Sequence, residues 1–272
     1  FGEEWGSTPY ANSFIADTGE IHILLYDIDA DNSTNGGTLG YFWGNNNLLE
    51  SVSLYEFSDE RLLFAMDAVM FAEPSWQDEI ISTLAHEFQH MIHFYQKVAS
   101  RVPSIYSETW LNEMCSLVAE DLVADKLGIP GPRGVPLSGG SFVYSSGSGP
   151  YAEGRLPLFN YWNDWPLTTW NNDIEDYAAA YAFGGFLLRH FGSEAFVDQL
   201  MASSDEGAGA VTQSIQTLGF GNYSFGDIMR LWGAAVLLSN ETTLVADTIG
   251  YGYNSGSAFV SGDYSLGSIN LY

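Results

Sequence analysis

Positive charge is the scarcest commodity in this sequence of 272 residues. Eight Lys and Arg stand against 34 Asp and Glu, a formal net charge of −26 at pH 7. Non-specific binding of duplexes rests on cations that neutralise phosphate, so nucleic acid and anionic membrane surfaces are poor partners for such a chain. An acidic surface instead favours solubility, tolerates high salt and attracts divalent cations. Cysteine is nearly absent too. Cys115 stands alone, which excludes an internal disulfide and a Cys-rich zinc module. No apolar run approaches the ~18 residues that a spanning helix needs, so no membrane insertion is expected. What is present is the composition of a folded globule with a sizeable core, 46% hydrophobic and 15% aromatic. The first residue is Phe1 rather than Met, as expected of a mature or excised fragment that has lost a signal peptide, and bacterial secretion fits that reading. Nothing in the sequence sets the oligomeric state.

Residues 19–44, "GEIHILLYDIDADNSTNGGTLGYFWG", read as two strands around a polar turn, either a hairpin or a longer loop. A further strand is predicted over 61–71, "RLLFAMDAVMF". The period then turns helical from Asp78 to about Lys97. That helix is apolar on most sides through Ile80, Ile81, Leu84, Phe88, Met91, Ile92, Phe94 and Tyr95, which makes it central rather than superficial. A second helix is predicted from Ser107 or Glu108 through Leu127, stopped by Gly128 with Pro130 beyond. Residues 128–176 are rich in Gly, Pro, Ser, Asn and Trp and show little periodicity, and loops that long tend to be functional. From Asp176 four helical runs follow, and the last thirty residues alternate like strands.

The first of these helices contains "HEFQH". At ~100° per residue, His86 and His90 fall within about 40° of each other, one turn apart. Two imidazoles so placed can bind one Zn²⁺, with Glu87 beside them to reach a water at the ion. A catalytic zinc needs a third protein ligand. A metzincin would have Gly at position 93 and a third His at 96, where this chain has His93 and Gln96. The alternative is a glutamate on the next helix, and "ETWLNEMCSLVAEDL" supplies Glu113 near its start. Glu120 follows two turns later, about 20° off by the same arithmetic, where it could support a ligating histidine from the second shell.

The pairing of "HEFQHMIHF" with "WLNEMCSLVAEDL", followed by "RLPLFNYW" and "YAAAYAFGGFLLRHFG", resembles the hyicolysin family of secreted bacterial zinc metallopeptidases, gluzincins whose ligands are two His and one Glu. The resemblance spans roughly residues 20–200. It implies His86, His90 and Glu113 as zinc ligands and Glu87 as general base. Gluzincin aminopeptidases share the run from Trp110 to Glu113 and place a transition-state tyrosine at the start of a later helix closed by Gly. Tyr177, fifteen residues before Gly192, matches that spacing, with Tyr181 as the alternative. The Gly-x-Met-Glu-Asn motif that binds a free N-terminus in those enzymes is missing here, so the resemblance implies an endopeptidase acting on proteins or peptides.

The expected fold is α+β, a zincin-like peptidase built as one catalytic unit. Residues 1–77 form its strand-rich N-terminal part, 78–128 the metal-binding helix pair, 129–175 long active-site loops, 176–240 a helical lobe and 241–272 C-terminal strands. An extended substrate would add to a sheet edge, for which "LGYFWG" (39–44) is the candidate. Calcium is a further candidate cofactor. Asp27, Asp29 and Asp31 alternate as in a hand-type loop, although Asn32 stands where Gly is required and Thr38 replaces the bidentate acid, which leaves a polar turn as the plainer reading. His93 reads as a satisfied packed histidine and Cys115 as a small buried residue. Two other functions compete. One is a peptidase restricted to glycosylated proteins, reading sugars through the aromatic stretch 141–170. The other is a non-catalytic zinc-containing surface or carbohydrate-binding module, against which Glu87 beside the histidines argues, since a structural zinc usually closes its fourth position with protein.

Overall fold

A computed structural model of the chain describes residues 1–53, 57–129, 131–133 and 154–238. The strands expected over 241–272, and residues 141–153 of the aromatic stretch read over 141–170, lie outside the described residues. The chain divides into two compact units, one formed by residues 1–106 and the other by the described residues from 107 onward.

The first unit holds a three-stranded sheet of β1 (His22–Tyr26), β2 (Gly40–Phe42) and β3 (Leu63–Asp67) in the order β1-β3-β2. β1 runs parallel to β3 and β2 antiparallel to it, so the two strands expected within 19–44 do not form a hairpin with each other. The intervening segment is a longer loop instead. Asp27 accepts the main-chain N–H groups of Asp31 and Asn32, Asp31 that of Ser33 and Asp29 that of Thr38. Ala30 and Asn32 take positive φ within it, 54° and 51°. These side chains satisfy the turn's own backbone, as Asx turns do.

β3 is buried along its whole length, as a central strand must be. The strand expected over 61–71 stops at Asp67, whose carboxylate accepts from Met70 N at 2.8 Å and so caps the short α1 (Ala68–Ala72). The same side chain accepts from Ile28 N at 2.8 Å, tying the end of β1 to the end of β3. α2 (Gln77–Phe94) follows and continues through one π-helical turn, Tyr95–Ala99. It packs against β2 at Gly40, where a Cβ would stand 3.0 Å from Thr83 Cγ2. Phe64, Met66, Ile80, Met91 and Tyr95 share one core with Trp5 and Phe14 from the N-terminal segment. Full burial of each such side chain is worth about 1.5–3 kcal/mol, which fixes α2 firmly to the sheet.

The second unit is helical. α3 (Thr109–Leu127) ends at Gly128, whose N–H bonds Ala124 O at 2.8 Å and whose φ of 72° turns the chain so that Ile129 N bonds the same oxygen at 3.0 Å. α4 (Arg155–Tyr161) lies inside the stretch read as loop. Its sequence hides the helix because Pro157 discourages one, yet in a first turn the missing N–H has no helical acceptor to lose. α5 (Ile174–His190) opens with a capping box between Asp173 and Asp176 and is buried almost all round. α6 (Glu194–Ala202), α7 (Gly207–Thr217) and α8 (Phe225–Leu238) complete the described unit. α5 lies directly on α3 at Gly184, where a Cβ would stand 2.7 Å from Val118 Cγ2 and 2.8 Å from Met114 Cγ. The strand-rich N-terminal part, the central helix and the helical C-terminal part together make the α+β class expected from the sequence.

Candidate metal centre

α2 presents His86 and His90 one turn apart, both half-buried, with ring centroids 4.6 Å apart and planes at 79°. The α-helical repeat alone puts these side chains on one face. Glu113, in the first turns of α3, is half-buried as well. One ligand atom from each of His86, His90 and Glu113 lies within 4.8 Å of the other two. Donors bound tetrahedrally at ~2.1 Å would stand about 3.4 Å apart, so small side-chain rotations bring the three onto one ion. Two imidazole nitrogens and a carboxylate oxygen are a donor set that suits a borderline cation such as zinc, and the arrangement fits a zincin.

Glu87 follows His86 on α2 and is only 6% exposed. A buried carboxylate is costly unless it is paired, so its place beside the two histidines is not one that packing alone selects. Glu120 is also buried, on α3 two turns beyond Glu113, and His93 is buried near the end of α2. Cys115 is a buried free thiol in α3.

The two candidate tyrosines differ sharply. Tyr177, in the first turn of α5, is half-buried. Its ring packs edge-on against Trp170 at 4.9 Å, the Arg155 guanidinium lies 5.8 Å from the ring centroid, and its hydroxyl donates to Asn172 at 3.4 Å. Tyr181, one turn on, is wholly buried.

β2 is an edge of the described sheet, as the 39–44 reading requires. Its Tyr41 has a hydroxyl 2.9 Å from that of Tyr26. Burial first, then this contact and the charges of Tyr26 and Asp59, push the Tyr41 phenol up to about 12. Calcium at the Asp27 loop finds no support. Asp27, Asp29 and Asp31 serve as acceptors for the loop's own N–H groups, the polar turn that was the plainer reading. One residue that sequence reasoning passed over is Glu108, immediately before α3. The available signal was its position, since Glu is not among the residues favoured there.

Among the described residues no helix is long and apolar enough to cross a membrane. A sequence model of the family described as Peptidase M30 matches residues 1–270. The Neutral metalloprotease ShpI of Staphylococcus hyicus is 30% identical over 112 residues, which are 40% of this chain. The match spans only a quarter, 25%, of that curated relative's length. The family resemblance carried by the two helix motifs is thereby borne out.

Proposed function

We propose, from the premise that the chain belongs to the Peptidase M30 family, that it is a zinc-dependent endopeptidase that hydrolyses peptide bonds within proteins. The observation that carries this reading is the donor set of His86, His90 and Glu113 with the buried carboxylate of Glu87 next to it on α2. In this reading those three side chains hold the ion, and Glu120 steadies a ligating histidine by accepting a hydrogen bond from its other ring nitrogen. Zinc held there supplies Lewis acidity, which lowers the pKa of water to about 7 and polarises a carbonyl.

Glu87 takes the proton of the attacking water and then delivers it to the leaving amine nitrogen, so one carboxylate serves as base and acid in turn. The developing charge on the carbonyl oxygen needs a donor, and Tyr177 is assigned that task. It is preferred over Tyr181 because the hydroxyl has to reach a substrate, and Tyr181 is wholly buried. The substrate backbone extends along the free edge of β2 by strand addition. Secretion from a bacterial cell belongs to the same proposal.

Metal content and cleavage of casein test the reading, measured before and after removal of metal by phenanthroline. One zinc per chain, with cleavage lost on chelation and restored by zinc, is the expected result. Glu87→Gln should keep the metal and lose nearly all turnover, and near-normal turnover by the metal-loaded variant would sink the general-base role. Mucin degraded while casein is spared would narrow the substrates to glycosylated proteins. Zinc with neither substrate cleaved would leave a binding module.

A further inference from the structure

Glutamate is an uncommon residue at the position before a helix, where Ser, Thr, Asp and Asn bond back to the first free N–H groups. Glu108 holds that position before α3, and its side chain makes no such bond. Its main-chain carbonyl opens the helix by accepting from Leu111 N at 3.0 Å and Asn112 N at 3.2 Å. Its carboxylate turns elsewhere and accepts from Trp110 Nε1 at 2.5 Å.

The other oxygen of that carboxylate faces Gly207, the first residue of α7, which takes a φ of +51°. A Cβ at 207 would overlap the carboxylate, standing 2.7 Å from its Cδ, so glycine leaves the room Glu108 occupies. The partial positive charge at the start of α7 favours an anion there. Trp110 is itself buried and meets Phe183 of α5 at 6.2 Å and Phe225 of α8 at 6.1 Å between ring centroids. The first turn of α3 is thus tied to α5, α7 and α8 through two side chains, and Glu113 lies one turn beyond the second of them.

We propose that Glu108 and Trp110, resting on Gly207, form a positioning pair for Glu113. By fixing the rotation and height of the first turn of α3, they set where the Glu113 carboxylate stands and hence how tightly zinc is held. Glu108 touches neither metal nor substrate in this role. The inference rests on the proposed reading of Glu113 as a ligand. Groups bonded directly to a metal ligand typically change metal affinity by about 10–100-fold when replaced, and the lower figure is expected of a pair that acts through the helix.

The test is zinc affinity by competition with a chromophoric chelator, together with unfolding of the zinc-free protein. It compares the parent with Glu108→Ala, Glu108→Gln, Glu113→Gln and the Glu108→Ala/Glu113→Gln double variant. Glu113→Gln should weaken zinc by roughly a hundredfold or more and Glu108→Ala by about tenfold. Glu108→Gln should bind within about threefold of the parent, since its amide oxygen still accepts from Trp110. The double variant should match Glu113→Gln alone, because a positioning effect vanishes once the positioned ligand is gone. Should Glu108→Ala not fold, Glu108→Asp reads the same quantity, keeping the charge but one methylene short of Trp110.

Parent-like affinity in Glu108→Ala, with zinc lost in Glu113→Gln, would overturn the positioning role and leave the ligand assignment standing. The same holds for an equal loss from Glu108→Ala in both backgrounds, which would mark a merely structural effect. Zinc affinity unchanged by Glu113→Gln would sink the ligand assignment and this inference with it.

Discussion

A methyl group added to either of two glycines inside long helices should have different effects on stability. Gly233 lies within α8, is exposed, and among the described residues has nothing within 4 Å of where its Cβ would stand. Gly184 lies within α5 with Val118 Cγ2 at 2.7 Å and Met114 Cγ at 2.8 Å from that point. Ala in place of a mid-helix Gly gains about 1 kcal/mol from backbone entropy and propensity alone. Gly233→Ala should show that gain nearly undiluted. At 184 the new methyl would sit about 1 Å inside the ~3.5–4.0 Å optimum for carbon contacts, against two side chains close to their backbones. Overpacking of that kind costs about 1–3 kcal/mol, which cancels or exceeds the propensity gain. The two substitutions should therefore differ by about 1–3 kcal/mol, with Gly184→Ala neutral or destabilising. Urea unfolding of the metal-free protein, followed by circular dichroism, measures this without the added stability that a bound ion brings. Equal upward shifts of the midpoint for both variants would refute the close approach of α3 and α5.

Two further outcomes follow from the site and its sheet. Tyr177→Phe should lower kcat by about 10²–10³ with little change in KM if its hydroxyl meets the carbonyl charge, whereas Tyr181→Phe should appear in the unfolding midpoint and leave kcat near the parent's. An unchanged kcat in Tyr177→Phe would withdraw its role. The Tyr41 phenol, raised to about 12 from an ordinary 10, is held neutral by folding, so its contribution to stability is complete below pH 10 and is lost as pH climbs toward 12. Phenolate absorbance should show Tyr26→Phe lowering that value while burial keeps it above 10; a fall to 10 or below would reverse the order of the two causes.

The two helices of the candidate metal centre were legible because local chemistry fixes them. An apolar helical pattern ran through α2, and Gly128 stopped α3 where its backbone needed a left-handed residue. The His and Glu motifs could be read for the same reason, being fixed offsets on helices. The sheet was less legible. Neither β1 nor β2 carries a mark of its partner, and only the placement of β3 between them decides that they do not form a hairpin. Asp67 also misled, since the expected strand ran through this single acid to residue 71, whereas its carboxylate ends the strand and caps α1. The position of Glu108 was open to view, but the surroundings of its carboxylate lay beyond reach for a related reason. Gly207, ninety-nine positions along the chain, gives its carboxylate room, and no periodicity links residues so far apart.

The solitary thiol gives this chain a built-in clock. Cys115 is two residues from Glu113 and fully enclosed in α3, so a water-soluble alkylating reagent can meet it only when that part of the helix opens. With no second cysteine to react, each labelled molecule reports one opening event at one place. The rate of alkylation therefore measures local breathing of the helix that carries the proposed ligand, in the same way that hydrogen exchange measures it for a buried amide. Zinc at Glu113 should slow that clock, and it can be read without any substrate.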